Sequence, residues 1–253
     1  MTAAVSCIIP AWNEQARIGA VLDAALGHPD LCEVIVVDDA SDDQTAAVAA
    51  GRGARVLRQP RNGGKSAAVA RGLAAARGDL ILLLDADLIG LRPEHLTRLI
   101  APVREGRADA SLSLRANAPL PWRMIGLDYI SGERVMPRAL LTSRLEQIGA
   151  LRGFGLEVFF NRIWIAEALR LAVVRLPLRS PRKAEKQGML RGWANDLGMI
   201  RDIVTTIGAV EIMTQIRSLH RLARSHPPAT AQNATATVTQ HSRNRGVSDT
   251  STR

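Results

Sequence analysis

Residues 80–87 read Leu-Ile-Leu-Leu-Leu-Asp-Ala-Asp, an apolar run that stops on two carboxylates placed two positions apart. A strand with one wet face alternates apolar and polar residues, so an unbroken run fits a strand buried on both faces of a parallel sheet. Three further runs precede it, at residues 4–9 (AVSCII), 34–37 (VIVV) and 54–57 (ARVL), each ending near Pro, Asp or Asn. Between them, residues 15–26 set Ile18, Val21, Leu22 and Ala25 on one helical face, while 43–50 and 64–76 are Ala-rich at similar spacing. The order β-α-β-α-β-α-β predicts an α/β fold, a doubly wound half-sheet with right-handed crossovers. Ligands of such sheets bind beyond the carboxyl ends of the strands. Chemistry is therefore expected at residues 10–14, 38–43, 58–65 and 85–90.

Beyond this the pattern loosens. Residues 93–103 read as a helix with Pro93 near its start, and 109–114 as a fifth strand. Residues 119–153 mix Pro, Gly, Arg and apolar residues without a clear period. A helix is expected at 156–171, a strand cut short by Pro177 at 172–178, and one or two long amphipathic helices at 186–224. After His226 the composition collapses to Pro, Ala, Thr, Ser, Gln and Asn, and a disordered tail is expected. The expected organisation is 1–118 as one half, 119–224 as a second half with C-terminal helices, and 225–253 as the tail.

Of the 253 residues, 47% are hydrophobic and 23% charged, which excludes wholesale disorder. Only 3% are aromatic, so Leu, Ile, Val and Ala must build the core. The net charge of +9 invites an anionic partner, whether nucleic acid, a phosphorylated small molecule or an acidic membrane surface. Nucleic acid is set aside, because aromatics for base stacking are scarce and no RNA or DNA module is recognised. Cys7 and Cys32 have neither disulfide-framework nor metal-ligand spacing, and read as two buried thiols in a reducing compartment. The start MTAAVSCIIPAWNE lacks a basic lead and is not read as a signal peptide. No run reaches the roughly 18–20 apolar residues of a membrane span. A cytoplasmic or membrane-peripheral location is the expectation.

Asp85 and Asp87 project to the same side of the strand end, about 6–7 Å apart along the chain. Two bare carboxylates this close repel unless a cation lies beside them. Mg²⁺ or Mn²⁺ shared with a diphosphate suits them; the plain alternative is a solvated loop start. In Pro10-Ala11-Trp12-Asn13-Glu14, Asn13 reads as a helix cap. Glu14 could accept from ribose hydroxyls, or be a first-turn carboxylate favoured by the helix dipole. Among Asp38, Asp39, Asp42 and Asp43, one carboxylate could accept a uracil N–H, with Ser41 or Asp42 capping the next helix. Asn62-Gly63-Gly64-Lys65-Ser66 lacks the leading Gly and spacing of a P-loop. Its N–H groups and Lys65 could still face a phosphate, or simply start a helix.

In order and context these four elements, spanning roughly residues 4–115, resemble the nucleotide-sugar-binding half of family 2 glycosyltransferases with the GT-A fold. The resemblance implies a bound nucleoside diphosphate sugar. Pro10, Ala11, Trp12 and Glu14 would lie along base and ribose, with Asp39 and Lys65 near base and phosphates. Asp85 would face the ribose or the metal, and Asp87 the metal, Mg²⁺ or Mn²⁺.

The second half is similar to the acceptor half of the glucosyl-3-phosphoglycerate synthase subfamily. The likeness lies in Ile130-Ser131-Gly132-Glu133-Arg134, Arg138-Ala139-Leu140-Leu141 and Gly153-Phe154-Gly155-Leu156-Glu157. It implies that Glu157 binds hexose hydroxyls and that the backbone from Ile130 to Gly132 lies near the anomeric carbon. Arg115, Arg134 and Arg138 become candidates for an acceptor phosphate, against surface solvation as the plain reading. That subfamily adds a His ligand where this chain carries Pro181, and Arg182, Lys183 or Lys186 would have to neutralise the diphosphate instead. Asp128 and Glu133 are the nearby candidates for a general base if the reaction inverts. The resemblance favours retention, in which the leaving diphosphate takes the proton.

The expected function is transfer of a hexose, from UDP-glucose before GDP-mannose, to a small phosphorylated acceptor. The alternatives are transfer to a polyprenyl phosphate and a non-catalytic nucleotide-sugar binder. Residues 186–224 suit an anionic membrane surface, or a packed helix pair or homodimer face.

Overall fold

The computed structural model describes residues 3–180 and 208–224. Four parallel strands form as expected: β1 (Val5–Ala11), β2 (Leu31–Asp38), β3 (Arg55–Arg58) and β4 (Leu80–Leu83). Helices α1 (Ile18–Ala25), α2 (Thr45–Gly51) and α3 (Lys65–Ala75) connect them. They are followed by α4 (Pro93–Arg104) and β5 (Ala110–Arg115).

Residues 119–153, which carry no readable period, supply α5 (Leu120–Ile125), β6 (Arg134–Pro137), α6 (Ala139–Thr142) and α7 (Leu145–Ala150). Strand β6 was not expected. It inserts between β4 and β5, antiparallel to both, so the described sheet has seven strands in the order β3-β2-β1-β4-β6-β5-β7. Helix α8 (Gly155–Ala166) and strand β7 (Leu171–Leu176), parallel to β5, follow as read from the sequence. Of the region expected as long helices at 186–224, the described part is α9 (Ala209–Arg224). The remainder of that region, Pro181 and the expected tail lie outside the described residues.

Both faces of the sheet are covered, which is why its strands carry apolar runs rather than alternation. On one face Cys7, Ile9, Val34, Val36 and Leu82 meet Val21 and Leu22 of α1 and Leu96, Leu99 and Ile100 of α4. On the other, Ile8, Ile35, Val37 and Ile81 meet Val69 and Leu73 of α3. There the same layer extends through Phe160 and Trp164 of α8 to Ile212, Ile216 and Leu219 of α9. Each such fully buried aliphatic side chain contributes about 1.5–3 kcal/mol relative to exposure. None of the described helices is long and apolar enough to cross a membrane.

Helix α3 lies unusually close to the sheet at Gly72. A Cβ there would sit 2.5 Å from Ile8 Cγ2 and 3.2 Å from Val37 Cγ2. Overpacking costs about 1–3 kcal/mol, against a helix-propensity gain of about 1 kcal/mol for Ala over Gly. Gly72→Ala is therefore expected to lower the unfolding free energy in urea denaturation, by up to about 2 kcal/mol on those two figures. Gly51→Ala, whose Cβ meets nothing within 4 Å, is expected to raise it by about 0.4–1 kcal/mol.

Candidate active site

The loops at the carboxyl edge are tied to one another. Asn13 takes the left-handed conformation (φ 55°), which Asn tolerates better than most residues. Its N–H donates to Ser41 Oγ at 2.9 Å, and its Oδ1 accepts from the Asp42 N–H at 2.9 Å. The Glu14 N–H donates to Thr45 Oγ1 at 2.8 Å. Asn13 thus joins the loop after β1 to the loop after β2 rather than capping α1, which begins at Ile18. Asp43, not Ser41 or Asp42, accepts from the Thr45 N–H at the start of α2. Pro10 and Ala11 form the end of β1, Glu14 pairs with Arg17, and Trp12 stands 53% exposed on the rim. A cavity of about 460 Å³ opens beside them, lined by Ala40, Ser41, Asp42, Arg58, Gln59 and Pro60.

Asp39 differs from expectation. It is buried, and its carboxylate accepts from Gln59 Nε2 at 2.6 Å, Gly63 N at 2.9 Å and Gly64 N at 2.7 Å. Those bonds hold the loop that delivers Lys65, so two N–H groups expected to face a phosphate already face a carboxylate. Asp39 thereby shapes the loop that carries Lys65 from behind.

Lys65, the first residue of α3, lies between two acids. Its Nζ is 2.7 Å from Asp85 Oδ1 and 3.0 Å from Glu157 Oε1. Burial opposes the lysine's charge, but the two carboxylates outweigh it and raise its pKa. Asp85 is also 4.0 Å from Arg115 Nη1. Its pKa is lowered, because Lys65 and Arg115 overcome the effect of burial. Gly132 presses against the other side of this carboxylate, where any Cβ would collide with both oxygens. Gly132, expected near the anomeric carbon, thus lies against the acidic triplet.

Arg115 carries the network inward. Its Nε donates to Asp128 Oδ2 at 3.1 Å, its Nη1 donates to Ser180 Oγ at 2.5 Å, and Nη1 is 3.9 Å from Glu133 Oε1. Burial works against its charge too, yet Glu133, Asp128 and Asp85 raise its pKa. Glu133 is fully enclosed and accepts from Ser113 Oγ at 2.5 Å and Ser131 Oγ at 3.1 Å. Burial raises the pKa of both Glu133 and Asp128, and Arg115 only partly offsets it. With Asp128 equally enclosed, neither acid reaches the rim as a base for an acceptor hydroxyl. They hold Arg115.

The two other arginines assigned to an acceptor phosphate are placed elsewhere. Arg134 is 1% exposed. It donates to the carbonyls of Ser131 and Tyr129 and to Asn161 Oδ1, at 2.7, 3.1 and 2.7 Å. Its guanidinium carbon lies 4.8 Å from the Trp164 ring centroid, and burial pushes its pKa down to about 10. Arg134 thus fixes the Gly132 loop onto α8, the helix that presents Glu157. Arg138 bonds the carbonyl of Gly78, just before β4, at the opposite end of the sheet from Asp85. Glu157, by contrast, is brought to Lys65 as the sequence reading required of one site. Ser113, Ser131 and Ser180 went unread: single serines in a strand or loop carry no spacing that marks them.

Asp87 follows at the rim, half-buried. Its loop is fastened where Ile89 and Arg179 exchange backbone hydrogen bonds of 2.8 and 3.1 Å. Among the described residues, no group of three or more His, Cys, Asp or Glu gathers to hold a metal ion. The donor set here is two carboxylates, one already beside a lysine.

A family model, glycosyl transferase family 2, matches residues 6–159, more than half of the chain. The chain belongs to glycosyl transferase family 2. This family 2 member is 36% identical over 111 residues to the glucosyl-3-phosphoglycerate synthase of Mycolicibacterium paratuberculosis, covering 40% of this chain and 34% of that protein. Against the dolichyl-phosphate beta-glucosyltransferase of Mus musculus it is 37% identical over 102 residues, 34% of this chain and 32% of that one. The matched stretch spans about a third of these curated relatives. A crystal structure of glucosyl-3-phosphoglycerate synthase from Mycobacterium tuberculosis with Mn²⁺, UDP-glucose and phosphoglyceric acid superposes with a TM-score of 0.63. Its identity is 26%, over 85% of this chain and 80% of that one. The sheet is the GT-A sheet that the sequence resemblance implies.

Enclosure of Glu133 makes a pH-dependent prediction. Its folded pKa is raised, so its contribution is fully present below the unfolded value near 4.3 and is lost as pH rises through the folded value. Relative to the parent, Glu133→Gln is expected to gain unfolding free energy as pH goes from about 4 to 8. Urea denaturation at a series of pH values reads this, and a pH-independent difference would contradict it.

Proposed function

We propose that this family 2 member transfers a hexose from a nucleoside diphosphate sugar, UDP-glucose first, to a phosphorylated acceptor. One observation carries the reading: at the carboxyl end of β4, Lys65 and Arg115 flank Asp85 while Asp87 stands on the rim. A diphosphate arriving there meets two fixed cations, with the Asp87 carboxylate at the rim beside them. The glucosyl-3-phosphoglycerate synthase of Mycobacterium tuberculosis, whose crystal structure holds Mn²⁺ and UDP-glucose, supports the same choice of donor.

The donor set fits a divalent ion held only in part by protein. Mg²⁺-type sites use one or two carboxylates and complete the shell with water and substrate phosphate oxygens. Asp87, with Asp85, would hold it, and such an ion when bound neutralises the departing diphosphate as a Lewis acid. Lys65 supplies a second, permanent neutralising charge. Glu157, held by Lys65, would accept from hexose hydroxyls, and Gly132 leaves the room that the Asp85 carboxylate needs. With Glu133 and Asp128 enclosed, the proton of the acceptor hydroxyl is best accepted by the leaving diphosphate on the same face. This is a retaining route, in which the protein orients and neutralises.

Asp87→Asn is expected to lower kcat/KM for transfer at least about 100-fold, the usual cost of losing one electrostatic contact to a developing charge. The unfolding midpoint should not move. In calorimetry the variant should also lose the strengthening of UDP binding by Mn²⁺, and turnover at the parental rate would remove Asp87 from the mechanism.

A further inference from the structure

With Arg134 buried and Arg138 at the far end of the sheet, the acceptor phosphate needs other cations. A cavity of about 550 Å³ lies beyond the ends of β5 and β7, lined by Arg115, Arg123, Arg175, Met124, Leu176 and Pro177 among others. Arg115 is the shared wall: the same guanidinium that lines this cavity lies 4.0 Å from Asp85 Oδ2. A group in the cavity is therefore next to the place where the diphosphate and the sugar it carries would lie.

The three arginines are not equivalent. Arg115 is engaged by Asp128, Glu133 and Asp85. Arg123 and Arg175 are exposed, and among the described residues neither is ion-paired with a carboxylate. Two uncompensated guanidiniums facing one concavity suit the oxygens of a phosphomonoester, to which Arg donates in a planar fork. The remaining wall is apolar, and Met124 beside Arg123 is 79% exposed. We infer that this cavity receives the acceptor, with Arg123 and Arg175 binding its phosphate and Met124, Leu176 and Pro177 covering the part that carries it. The inference rests on the glycosyltransferase reading for the role of the cavity, though not for its affinity for phosphate.

The phosphate could be borne by a small soluble acceptor or by a lipid chain, and the test separates them. Full-length protein is titrated calorimetrically with glycerol 3-phosphate, and by fluorescence with farnesyl phosphate in detergent micelles. UDP with Mn²⁺ is run alongside as a separate arm. The Arg123→Ala/Arg175→Ala double variant is expected to bind the phosphate probe at least 10-fold more weakly, with UDP affinity changed less than twofold. Met124→Ser is expected to weaken only farnesyl phosphate if the acceptor is a lipid, and neither probe if it is soluble; both results keep the site. Equal phosphate affinity in parent and double variant, or no binding of either probe by the parent, overturns the inference. Failure of the parent to bind UDP strikes the donor reading instead, and leaves the phosphate arm to judge the cavity.

Discussion

The site depends on one ammonium group between two acids. Removing a lysine and two carboxylates partly from water costs several kcal/mol per ion, and that cost is offset here only because Lys65 Nζ reaches Asp85 and Glu157 at once. The geometry demands agreement among distant parts of the chain. Asp39 must clamp Gly63 and Gly64 to aim α3, and Gly132 must leave room for the Asp85 carboxylate. Arg134 must pin the Gly132 loop to α8 so that Glu157 arrives. Loss of the lysine alone would leave Asp85 and Glu157 without their common cation, the situation in which buried pairs are most destabilising.

Behind this contact lies a graded arrangement of charge. Lys65 and Asp85 are part-exposed, Arg115 is mostly covered, and Asp128 and Glu133 are sealed. The outer groups keep their ionised forms by pairing, whereas the inner acids are pushed toward neutrality by burial. At the rim Lys65 and Arg115 are matched by Asp85, Asp87 and Glu157, so a diphosphate arriving there would gain from a divalent cation beside the protein's own charges. The inner carboxylates would act on the diphosphate only through Arg115.

The first four strands and their connecting helices were legible because each of these elements is local. An apolar run ending on Asp85 and a helix beginning at Lys65 can each be read within a few residues, whereas Asn13, read as a helix cap, instead ties two loops together. Strand β6 was not legible, since its four residues, ending on Pro137, show no period and owe their conformation to pairing with β4 and β5. Arginines misled for a related reason: a guanidinium in a sequence does not say whether it ends in water, as at Arg123, or over Trp164, as at Arg134. Resemblance assigned Glu157 to hexose hydroxyls and the Ile130–Gly132 backbone to the anomeric carbon, but it gave no sign that Asp39 would clamp Gly63 and Gly64 or that Glu133 would be sealed behind Arg115.

Strand β6 also bears on how the chain must assemble. Between β4 and β5 there is no direct ladder, because each pairs with the strand that runs the other way. On the ribosome, the first four strands therefore emerge with the open side of β4 awaiting a partner made some fifty residues later. Until that late piece slots in, Asp85 stands at the tip of an unpaired edge, a template for pairing with another chain. Competence for catalysis and protection from misassociation are thus acquired in the same event.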